Sequence, residues 1–163
     1  MRKTLSIAAV AIIVGLGFAG TAQAQRDLPR LVERCLAGIR TEVGVTVEQI
    51  NKICARTLET IETRIGEGDR EGAEAAAREG AARIGRALAR GERTIGDGVR
   101  RCIEILRRNG DRASARIVLA AAHEASDTMG TATRRCIARI REAIGGDQRP
   151  PEGDPPRNPP PRG

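Results

Sequence analysis

Four cysteines carry the most evident chemistry in this sequence: Cys35, Cys54, Cys102 and Cys136. They are separated by 18, 47 and 33 residues. A tetrathiolate metal site needs four deprotonated sulfurs converging on one ion, and structural sites of that kind usually bring pairs of ligands close together in the chain. No Cys-x-x-Cys occurs here, which argues against such a site, against a thioredoxin-like exchange centre and against covalent haem. An even set of cysteines in an exported chain is read by default as two disulfides. The sequence alone allows three pairings.

The remaining candidates are weaker. His123 is the single histidine, and one imidazole cannot build a histidine-rich metal site. Its stretch, Ala120-Ala-Ala-His-Glu, parallels Ala75-Ala-Ala-Arg78-Glu79, so an exposed polar position is expected. Carboxylates are numerous, but nothing marks one pair for acid–base work. Nucleophile elbow, phosphate loop and dinucleotide fingerprint are all absent. We therefore expect no enzymatic activity and no cofactor. Six arginines, Arg100, Arg101, Arg107, Arg108, Arg112 and Arg116, surround Gly110 and face only Glu104 and Asp111 nearby. They form the candidate anion-contact surface. Arg107 and Arg108 also suit the end of a helix, where cations oppose the helix dipole.

Composition sets the frame for these groups. The 163 residues include one Phe, Phe18, and neither Trp nor Tyr, so the only other aromatic ring is the imidazole of His123. Base stacking on aromatic platforms and aromatic cages for cationic ligands are excluded as functions. Met1-Arg2-Lys3, an uncharged run from Leu5 to Gly20 and Ala22-Gln23-Ala24 have the form of a secretory signal peptide, expected over 1–24 with cleavage after Ala24. Removal of Arg2 and Lys3 lowers the net charge by two, from +7 to +5. No second apolar run follows, so no membrane-spanning segment is expected after cleavage. The expected location is secreted or periplasmic.

Residues 147–163 hold seven of the eight prolines and no large apolar side chain, the composition of a disordered tail. Between these ends, residues 25–146 read as all-α. Apolar residues recur at helical spacing, as in Ile50, Cys54, Leu58, Ile61 and Ile65, and strand-like alternation is scarce. Gly68-Asp69 and Gly110-Asp111 supply a left-handed position followed by an N-cap residue. A Thr eight residues before a Cys recurs as Thr46–Cys54, Thr94–Cys102 and Thr128–Cys136, and Thr46 with Gln49 has the form of a capping box.

These signals predict three degenerate helical hairpins over about 27–68, 69–110 and 111–146, or about six short helices in a bundle or short solenoid. Breaks fall within Thr41–Thr46 and near 92 and 127. If 69–108 and 111–145 were instead continuous beside a first hairpin, Cys102 would lie roughly 27 Å along the axis from Cys136. The broken arrangement brings all four cysteines to one level and pairs Cys35 with Cys54 and Cys102 with Cys136. No large aliphatic lies between Gly66 and Arg83. The start of the second repeat must therefore be weakly protected or pack closely through Ala and Gly.

The functional expectation is an exported, non-enzymatic interaction or structural protein that presents an Arg-rich helical surface to an anionic partner. That partner is an anionic envelope polymer, a lipid head group or an acidic protein; export argues against nucleic acid. Two alternatives are a periplasmic chaperone-like helical protein and a thiol-based metal-binding protein. Periplasmic helical-hairpin chaperones are the natural comparison by size and compartment, but their Leu-Thr-x-x-Gln motif is absent. Oligomeric state is not readable from the sequence.

Overall fold

The computed structural model describes residues 21–145, with side chains from 27 to 145. The expected tail 147–163 lies outside the described residues. So does the expected leader 1–24, apart from the backbone of Thr21–Ala24. All of the described chain except two short turns is helix: α1 Thr21–Gly66, α2 Arg70–Arg108 and α3 Arg112–Gly145. Each helix packs against both others.

Three long helices replace the expected six short ones. Continuous helix runs through Thr41–Thr46 and past residues 92 and 127. The three threonines of the Thr–Cys spacing lie inside helices. Thr94 and Thr128 donate their hydroxyls to the carbonyls of Arg90 and Glu124, one turn back. Thr46 is buried, at 3% exposure. A hydroxyl that bonds the preceding turn satisfies itself without ending the helix.

The two turns follow the Gly-Asp signals. Gly68 and Gly110 take φ of 76° and 75°, a region that costs a residue with a Cβ. Asp69 N donates to Arg64 O and Gly68 N to Ile65 O; Asp111 N donates to Leu106 O and Gly110 N to Arg107 O. This pair of bonds is the Schellman arrangement, which satisfies the last carbonyls of a helix. Asp69 and Asp111 then cap the next helix, accepting from Gly72 N at 2.8 Å and Ser114 N at 2.9 Å. The bonds from Ser114 hold the Asp111 carboxyl below its ordinary pKa. Its contribution to stability is present above the ordinary aspartate value and is lost as pH falls through the lowered one.

Unbroken α1 changes the cysteine arithmetic. Cys35 lies 33 residues before Gly68, and Cys102 lies 33 residues after Asp69, so the two meet across the α1–α2 turn. Two antiparallel folds bring α3 back alongside α1, with Cys136 level with Cys54. The disulfides are Cys35–Cys102 and Cys54–Cys136, with Cα separations of 6.4 and 5.8 Å. The expected pairs Cys35–Cys54 and Cys102–Cys136 are therefore wrong. Each would join two positions of one rigid helix or two staggered levels, separated by far more than disulfide reach.

The same register recurs away from the sulfurs. A Cβ added to Gly91 would overlap Thr46, and one added to Gly80 would overlap Thr57. The α1 partners 35, 46 and 57 rise in steps of eleven, and the α2 partners 102, 91 and 80 fall in steps of eleven. Buried apolar positions keep this spacing: Ile39, Ile50 and Ile61 on α1; Ala73, Ile84, Ile95 and Leu106 on α2; Val118, Met129 and Ile140 on α3. Eleven residues make three helical turns, a period close to that of a straight α-helix. Gly91, beside the break expected near 92, is a point of close approach. The aliphatic-poor start of α2 also packs closely, burying Ala73, Ala77 and Gly80.

The buried side chains form two clusters, each with one crosslink. One surrounds Cys54 and Cys136 with Ile50, Ile61 and Ile84; the other surrounds Cys35 with Ile39, Ile95, Leu106 and Met129. Pro29 lies inside α1 and cannot donate to the carbonyl of residue 25. The opening turn is thus joined to the rest by one bond fewer.

Two measurements test this fold. Non-reducing peptide mapping should recover Cys35–Cys102 and Cys54–Cys136, and replacing either pair by alanine should lower urea-unfolding stability by about 2–4 kcal/mol. Gly91→Ala should destabilise by about 1–3 kcal/mol through overlap with Thr46. Gly96→Ala, with nothing within 4 Å of the new Cβ, should stabilise by about 0.5–1 kcal/mol.

Candidate anion-binding surface

All four sulfurs are consumed by the two disulfides, and no free cysteine remains. Among the described residues no group of three or more His, Cys, Asp or Glu side chains is placed to hold a metal ion. His123 is exposed on α3, and the residues one turn away, Leu119, Ala120, Ser126 and Asp127, are exposed as well.

Every arginine among the described side chains is exposed, and so is Lys52. The six arginines expected as a contact surface are all exposed around the α2–α3 turn, but they do not converge. Arg100 and Arg107 lie seven residues apart on one stripe of α2, and Arg101 and Arg108 lie on a second stripe about 100° away. Arg112 and Arg116 belong to α3. Two of the six are engaged: Arg100 lies 3.7 Å from Asp97, and Arg108 pairs with Glu104. Among acids and arginines four residues apart on α2, Glu104 pairs with Arg108 and Glu74 stands 3.8 Å from Arg78. Asp97 turns to Arg100 instead of Arg101, and Glu79 makes no ion pair with Arg83 among the described residues.

A different set of cations does converge. Lys52 and Arg56 on α1, with Arg83, Arg86 and Arg90 on α2, line a groove of about 310 Å³ together with Gln49; no acid lines it. Ile53 and the buried Ala87 complete the lining. The register explains the groove. It spans 49–56 on α1 and 83–90 on α2, the interval between the Thr46–Gly91 and Thr57–Gly80 contacts. The helices meet closely at both ends of that interval, and long side chains flank the seam between. Cys54 lies in the same interval and ties α1 to α3 behind it.

Electrostatics divides the five cations. Lys52 pairs with Glu48 at 2.5 Å, and this contact holds the Glu48 carboxyl below the ordinary glutamate pKa. Arg56, Arg83, Arg86 and Arg90 have no acidic oxygen within 4.0 Å among the described residues. The sequence reading missed these residues, because nothing but the α1–α2 register brings them together. One local sign was present. Between Glu79 and Glu92, α2 carries three arginines and no acid.

A second groove of about 560 Å³ lies between α1 and α3. It is wide open and mostly apolar, lined by Val43, Gly44, Val47, Asn51, Ala55 and Thr128 among others. No helix among the described residues is long and apolar enough to cross a membrane.

No family model, curated protein or solved structure matches the chain.

The thiol state has its own measurement. Under denaturing conditions the oxidised protein should show no titratable thiol, gain four hydrogens on reduction, and take up no stoichiometric zinc before it. Zinc bound by the unreduced protein would contradict the sulfur pairing.

Proposed function

We propose that the chain is an exported, non-enzymatic binding protein, a crosslinked helical bundle that presents arginines to an anionic partner. One observation carries this reading: every cation among the described side chains is exposed, and few are neutralised. Among the described residues only Lys52, Arg64, Arg70, Arg78, Arg100 and Arg108 come within ion-pair reach of an acid. Solvated guanidiniums contribute little to stability, but they are weakly hydrated planar donors suited to carboxylate and phosphate. The partner classes are those bearing such groups: an envelope polymer, a lipid head group or an acidic protein surface.

Two further features support export. Disulfides persist in oxidising compartments, and both pairs here sit at disulfide geometry. Cleavage after Ala24 would leave Pro29 as the fifth residue of the mature chain, at the start of α1, where a missing N–H costs little. A chaperone-like reading draws on the apolar α1–α3 groove and would show as suppression of client aggregation.

Retention on dextran sulfate resin tests the proposal. The mature, oxidised chain should bind at low salt and elute as rising ionic strength shortens the screening length below about 10 Å. Neutral dextran should not retain it. Passage through both resins at low salt would refute the proposal.

A further inference from the structure

We propose that the α1–α2 groove is a binding site for a compact ligand bearing two or more phosphate groups; this rests on the anion-binding reading above and gives it a place and a chemistry. Four guanidiniums without acidic partners among the described residues, Arg56, Arg83, Arg86 and Arg90, surround one small concavity. Lys52 is already neutralised by Glu48. The remaining charge far exceeds that of one carboxylate. A phosphate monoester brings about 1.5–2 negative charges at neutral pH, so two of them match the four arginines. Guanidinium also binds phosphate through two parallel N–H bonds, which fix orientation as well as charge.

Size and spacing point the same way. Arg83, Arg86 and Arg90 extend about 10 Å along α2, and Lys52 to Arg56 extends about 6 Å along α1. That footprint and a groove of about 310 Å³ fit a small polyanion or a single head group. The helices meet closely on either side of the groove, at Thr46–Gly91 and Thr57–Gly80, so the backbones that carry the two rows of cations are held at a fixed separation. Preorganised charge loses less on binding than charge that must be assembled.

The local helix chemistry is otherwise unfavourable. Arg86 and Arg90 are like charges at i,i+4, and Arg83 and Arg86 at i,i+3, with no acid one turn away from Arg86 or Arg90. Such pairs repel across a helix face. A bound polyanion reverses the sign of that interaction.

Phosphates could arrive on a soluble polyphosphate or on a lipid head group, and the experiment separates the two. The mature, oxidised chain is titrated calorimetrically with inorganic tripolyphosphate, with citrate as a carboxylate control. In parallel it is floated with phosphatidylcholine vesicles, with and without phosphatidylinositol bisphosphate. Two double variants accompany the wild type: Arg83→Ala with Arg86→Ala in the groove, and Arg100→Ala with Arg107→Ala at the α2–α3 end.

The expected result is saturable 1:1 tripolyphosphate binding, with citrate weaker by about tenfold or more. The groove variant should lose about tenfold or more in affinity while the end variant keeps it. Relief of repulsion should leave the groove variant at least as heat-stable as wild type at low salt, so lost binding cannot be laid to unfolding. Groove-dependent flotation with bisphosphorylated vesicles assigns the ligand to a membrane, and its absence assigns it to a soluble phosphate. Equal loss in both variants, or dextran sulfate retention without saturable tripolyphosphate binding, overturns the groove site and leaves the general anion-binding reading standing. Failure on dextran sulfate as well overturns both.

Discussion

The close meeting of α1 with α2 at Thr46–Gly91 and Thr57–Gly80 is the constraint on which the rest of the structure depends. Large rings add volume to a core, and no Phe, Tyr or Trp lies among the described residues. Short aliphatics bury enough surface only if the helices come near each other. Glycine permits that approach at about 1 kcal/mol per helical position. Once the two contacts are set, Cys35 falls opposite Cys102, and the α1–α2 groove lies between them. Register, crosslink and charged seam are thus consequences of the same eleven-residue step.

That step also explains the parts of the fold that were legible in the sequence and the parts that were not. Gly68-Asp69 and Gly110-Asp111 were readable because a left-handed glycine followed by a capping aspartate has a local cause. The helical character of the chain was readable from periodicity. Helix continuity was not, because glycine carries two opposite meanings. Gly91 looks like a stop when its partner is unknown and like a contact once Thr46 is placed against it. The Thr–Cys spacing misled for a related reason: Thr46 is buried, Thr94 and Thr128 are exposed, and the three stretches are not equivalent. Breaking α1 at Thr41–Thr46 then forced the wrong cysteine partners.

The surface repeats this lesson. Arg100, Arg101, Arg107, Arg108, Arg112 and Arg116 are close in sequence, but two helices and several stripes divide them. Lys52, Arg56, Arg83, Arg86 and Arg90 are dispersed in sequence and share one groove. Charge density along a chain reports solvation and helix-end preference. Charge density across a seam requires register, which in this molecule is set by glycine and threonine.

Both crosslinks include α1, one reaching α2 and the other α3, while α2 and α3 are joined directly only through the turn at Gly110. The covalent graph therefore has redundant edges. A protease that cut at Gly68 would separate no fragment from the rest, and neither would one that cut at Gly110. Even with both turns severed, the three helices would remain one molecule, with α1 as the shared spine. In an environment rich in peptidases, this wiring makes backbone integrity at the two exposed turns dispensable for holding the bundle together, as long as the sulfurs stay oxidised.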